Sequence, residues 1–72
     1  MVYIIAQCNL EKWGPSLGRL TLAGTYSEAV EIAVALAREQ CDTNEVDIRE
    51  ELNNEASFAD PNKEWSICIG IP

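Results

Sequence analysis

The stretch Thr25-Tyr26-Ser27-Glu28-Ala29-Val30-Glu31-Ile32-Ala33-Val34-Ala35-Leu36-Ala37-Arg38-Glu39-Gln40-Cys41 decides how this chain folds. Thr25 followed three residues later by Glu28 has the spacing of a capping box, in which the hydroxyl bonds the third helical amide and the carboxylate reaches back. Ser27 is a competing cap. Glu28 and Glu31 fall at the positive end of the helix dipole. The interior is mostly good helix former, so a helix is expected over residues 27–41. At about 100° per residue, Glu28, Glu31, Ala35, Arg38, Glu39 and Asp42 share one arc of about 120°. The rest, from Ile32 round to Val34, is apolar over about 200°, whereas a helix on a single sheet needs a stripe little wider than about 100°. The surplus reads as contact surface for another copy of the chain.

Strand-like segments flank this helix on both sides. Residues 2–8 place Val2, Ile4, Ala6 and Cys8 on one face and Tyr3 and Ile5 on the other, and apolar character on both faces suggests a central strand. Residues 18–24 put Leu20 and Leu22 on the expected core face. In residues 45–50 Val46 and Ile48 alternate with Asp47 and Arg49, which reads as a charged edge strand. A rival helix over residues 43–54 draws on the capping-box character of Asp42-Thr43-Asn44-Glu45, and the alternation is weighed above it. Residues 64–71 show the clearest strand, with Trp65, Ile67, Ile69 and Ile71 on one side. Asn9 to Leu17 forms a loop with a Gly14-Pro15 turn, Asp60-Pro61-Asn62-Lys63 a type I turn, and residues 51–59 fit no single assignment. The expectation is one α+β domain over residues 1–72. It is a two-layer ββαββ arrangement, one helix on a four-stranded antiparallel-dominated sheet, with the first and last strands central.

The chain has 72 residues, 47% of them hydrophobic and 24% charged, a globular balance. Burial for this size contributes on the order of 105 kcal/mol, and ordering the chain costs on the order of 108 kcal/mol. A near-zero difference favours added support from a disulfide, a metal or a second subunit. Cys8, Cys41 and Cys68 are odd in number and widely spaced, and the chain has no histidine to complete a zinc site. They read as small buried hydrophobes in a reducing compartment, which leaves a homodimer as the expected support. No apolar run approaches the roughly 20 residues of a membrane span, and the first residues lack the basic region of a signal peptide. A complete cytoplasmic product is expected.

The same absence of histidine removes the commonest general base. No basic residue adjoins a cysteine in sequence, and the four glycines form no phosphate-binding loop. The expectation is therefore no catalytic, cofactor or metal site. Asp60-Pro61-Asn62-Lys63-Glu64 lacks the glycine and bidentate Glu of a calcium loop. Of the net charge of −7, residues 1–36 hold three carboxylates against two basic residues, and residues 37–72 hold nine against three. Such a chain repels nucleic acid and anionic membranes and attracts basic protein surfaces. The candidate interface residues are Trp13, Tyr3, Ile5, Ile32, Leu36 and Val34. The candidate acidic contact is Asp47, Glu50, Glu51 and Glu55. The leading reading is a small non-enzymatic interaction or regulatory protein that self-associates. The alternative is an acidic inhibitor or nucleic-acid mimic that binds a basic host or phage protein.

Overall fold

The computed structural model describes residues 2–40 and 44–71. Among them, the order of elements is β1 (Tyr3–Glu11), β2 (Gly14–Ala23), α1 (Tyr26–Gln40), α2 (Glu45–Glu55), β3 (Ser57–Ala59) and β4 (Trp65–Gly70). The strands make one antiparallel sheet in the order β2-β1-β4-β3, so β1 and β4 are central as expected. The class is α+β. The order is ββααββ instead of ββαββ, because residues 45–55 are helical and the edge strand is the short segment 57–59.

Capping begins both helices. The Glu28 amide donates to the Thr25 hydroxyl at 3.1 Å. For α2 the Asn44 side chain accepts from the Val46 amide at 2.9 Å, with Glu45 and Asp47 in the favourable first turn. The Val46/Ile48 alternation that suggested a strand is incidental. Val46 is exposed, and the pair that counts is Ile48 and Leu52, four apart on one helical face and both fully buried. Ala56 ends α2 in the left-handed region at φ 57°, its amide donating to the Leu52 carbonyl at 3.0 Å.

This second helix accounts for the wide apolar arc of α1. The arc is shared between the sheet and α2, so Ala29, Val30, Ala33, Val34, Leu36 and Ala37 are all buried within one chain. The polar arc is exposed at Glu28, Glu31, Ala35, Arg38 and Glu39, as expected. Cys41 and Asp42, assigned from sequence to the end of this helix, lie outside the described residues. Alanines let the helix approach Ile5, Ile67 and Ile69 on the sheet closely. The Tyr26 hydroxyl donates to the Leu52 carbonyl at 2.6 Å, and its ring meets Tyr3 edge-on at 5.6 Å. Arg49 joins the helices from outside, pairing with Glu31 and, at 2.7 Å, with Glu45. The Arg49 guanidinium holds the Glu31 carboxyl below its ordinary range, chiefly through the hydrogen bond.

On β1 and β2 the sheet polarity is the reverse of the expected one, while on β4 Trp65, Ile67 and Ile69 are buried as expected. Tyr3 and Ile5 face the helices, and Ile5 is fully buried, whereas Leu20 and Leu22 point away from them at 56% and 61% exposure. Between the Gln7–Arg19 and Cys8–Leu17 pairs the register shifts, leaving Gly18 as an extra residue. A Cβ at Gly18 would collide with the carboxamide oxygen of Gln7, a buried side chain that donates to Asn9 at 3.0 Å. The expected Asn9–Leu17 loop is a tight hairpin, turned at Lys12 and Trp13 and followed by Gly14 at φ 124°. Pro15 is tolerated because β2 is an edge strand with no neighbour on its outer side.

Two outcomes test this account of α2. Leu52→Ala should cost about 2–5 kcal/mol in urea unfolding, while Val46→Ala should stay within about 0.5 kcal/mol. Equal effects would restore the strand reading. Glu31 has a lowered folded-state pKa, so its contribution is present above the ordinary value of 4.5 and is lost as pH falls through the folded value. Glu31→Gln should therefore lessen the loss of stability on acidification below that point. The difference should be small because the pair is exposed.

Candidate functional site

With both helices on one side, the other side of the sheet is bare. Its residues follow from the register. On β2 they are Pro15, Leu17, Leu20 and Leu22, and on β1 Ile4, Ala6, Cys8 and Leu10. On β4 they are Ser66, Cys68 and Gly70, with Ser57 and Ala59 of β3 beyond. None of these side chains is charged. Leu17, Leu20 and Leu22 are more than half exposed, Leu10 less so, and Ile4, Ala6 and Cys8 are half-buried. The usual antiparallel sheet in a two-layer fold keeps a polar solvated face, and this one does not.

The face has relief as well as apolarity. Leucines rise along β2, and small residues line β4. Cys8 and Cys68 sit on this face as free thiols. They are diagonal neighbours, since Cys8 is opposite Ser66 and Cys68 opposite Ala6. Burial raises the Cys68 thiol pKa, with a further rise from nearby Cys8. The Cys68 thiol is therefore a poor nucleophile at neutral pH, and both cysteines lend the face small, weakly polar surface.

The sequence-predicted interface residues are divided by the structure. Ile5, Val34 and Leu36 are buried in the chain's own core, with Tyr3 and Ile32 packed against it. They leave little surface for a partner, because α2 and the helix-facing side of the sheet already cover them. Trp13 stands apart at the hairpin tip, 86% exposed, with the Lys12 ammonium 5.9 Å from its ring. Leu17, Leu20 and Leu22 were assigned to the core or to a loop, and they carry the open face instead. The available signal was the two-sided apolarity of residues 2–8, which shows that both faces of the central strand need covering.

The predicted acidic cluster is on α2, not on a strand. Asp47, Glu50, Glu51 and Glu55 are exposed and make no ion pair among the described residues. Asp47, Glu50 and Glu51 rim a groove of about 470 Å³ whose lining includes Phe58 and Pro61. Glu55 lies in the last turn of α2, which holds no basic residue, so the dipole disfavours its charge. Asp60 is buried but satisfied: its carboxylate accepts from the Glu64 amide at 3.0 Å, shaping the turn between β3 and β4. No group of three or more His, Cys, Asp or Glu converges for metal binding among the described residues. Among the described residues no helix is long and apolar enough to cross a membrane. No protein-family model, curated protein or solved structure matches the chain.

The two tryptophans report on this arrangement separately, because Trp65 is buried and Trp13 is not. Acrylamide should quench one component of the emission readily and the other poorly, and Trp13→Phe should remove the accessible component. Equal protection of both would place Trp13 against the protein surface.

Proposed function

We propose that this chain is a non-enzymatic interaction protein that works as a homodimer, with the open face of the sheet as its self-contact. The observation that carries the reading is the uncharged, apolar character of that face in a chain of net charge −7. Two such chains repel each other wherever their acidic surfaces meet. Contact through the uncharged face avoids that repulsion and buries the leucines of β2. The dimension of added support points the same way, since so short a chain has little stability to spare without a second subunit.

The acidic helical layer is then turned outward, where it suits a basic protein and disfavours nucleic acid and anionic lipid. Glu55 supports an outward use of this charge, because at the end of α2 it works against the helix. The nucleic-acid mimic is the specialised form of the same reading, with Asp47, Glu50, Glu51 and Glu55 as its contact. Free Cys8 and Cys68 are in keeping with a reducing, cytoplasmic setting.

Light scattering across the micromolar range should give about twice the chain mass of 8.0 kDa. Leu20→Lys should lower it to the single-chain value with the far-ultraviolet dichroism preserved. Replacing Asp47, Glu50, Glu51 and Glu55 with Asn or Gln should leave the dimer intact. A parent mass of 8.0 kDa at every concentration would end the homodimer reading.

A further inference from the structure

The open face is shaped to receive itself. Three rows cross it from β2 through β1 to β4: Leu22, Ile4 and Gly70; Leu20, Ala6 and Cys68; Leu17, Cys8 and Ser66. In every row a leucine on β2 is matched, on the far side of β1, by a small residue on β4. Because strands are evenly spaced at about 4.8 Å, β2 and β4 stand at equal distances from β1. A half-turn about an axis running along β1 therefore lays the β2 leucines of one chain over the β4 small residues of another. We infer that two copies dock in this way, with the leucine ridge of each chain filling the small-residue trough of the other. The inference rests on the self-association proposed above and adds its geometry.

Two arguments commit the occupant to a second copy. The first is fit. Packed sheets stand about 10 Å apart, a gap suited to large side chains set against small ones. An isologous contact needs such reciprocal relief, in which residue i meets j and j meets i. The second is charge. Face-to-face docking puts the two acidic helical layers on opposite outer sides, separated by about three layers of roughly 10 Å each, well beyond a screening length of about 8 Å.

Gly70 offers a test that the single chain tolerates. A Cβ there meets nothing within 4 Å, and its φ lies outside the left-handed region. Gly70→Leu should therefore keep the dichroism spectrum and melting behaviour of the folded chain while filling the trough opposite Leu22. Its dimer, followed by sedimentation, should dissociate at a concentration at least about tenfold higher than the parent's, the scale of one misplaced side chain. Adding Leu22→Ala should return much of the lost affinity, because the two volumes are exchanged across each contact. The unaltered protein supplies a second readout. Cys68 is exposed in one chain and covered by Leu20 of the other in the dimer. Its alkylation by N-ethylmaleimide should slow at least about tenfold between dilute and concentrated solution. A parent that dimerises while Gly70→Leu dimerises equally well, or while Cys68 reacts at the same rate throughout, overturns this packing and leaves the self-association standing. A parent that stays monomeric overturns both.

Discussion

The structure depends on how α1 covers its apolar arc. About 200° of its circumference is apolar, and one sheet covers little more than about half of that. The chain resolves this by folding α2 against the same helix, on the same side of the sheet, with Ile48 and Leu52 closing the gap. Tyr26 and Arg49 hold the two helices in register, one by a hydrogen bond to the Leu52 carbonyl and the other by pairing with Glu31. Both helices are then committed to one face. The second face of the sheet keeps its apolar residues, with nothing among the described residues to cover them.

Charge is divided along the same line. The helical layer carries the exposed carboxylates of α1 and α2, and the open sheet face carries none. An acidic chain meets least repulsion from its own copy where charge is absent, and attracts a basic protein best where acidic charge is dense. On the proposed reading, the two layers serve two different contacts, one for self and one for a basic partner. Glu55 at the end of α2 is placed against the helix dipole, which fits a position kept for contact more than for helix stability.

Much of the fold was legible in the sequence, and the failures have physical causes. The cap at Thr25, the polar arc of α1, the central position of β1 and β4 and the burial of Trp65 followed from local chemistry and periodicity. Residues 45–55 misled because Val46 and Ile48 alternate over a stretch too short to separate a period of two from one of 3.6; Leu52, one helical step beyond Ile48, decides it. The sidedness of the sheet was hidden for a different reason. When both faces of a strand are apolar, alternation shows that the faces differ but not which one meets the helix. Leu17 was further obscured by the extra residue Gly18, which shifts it onto the same face as Leu20. Ile5, Val34 and Leu36, read as interface residues, are instead buried in the chain's own core: the need for further burial was visible, but it was attributed to α1, whose surplus α2 covers.

The central claim is that the bare face of the sheet, and not the helical layer, meets a second copy. A half-labelled sample, one copy isotopically enriched and the other not, tests it directly by filtered nuclear Overhauser spectroscopy. The account predicts contacts between copies from the methyl groups of Leu20 and Leu22 to Cys68 and Gly70 on β4. Contacts between copies that arise instead from the exposed residues of α1 or α2, with the β2 leucines silent, would contradict it.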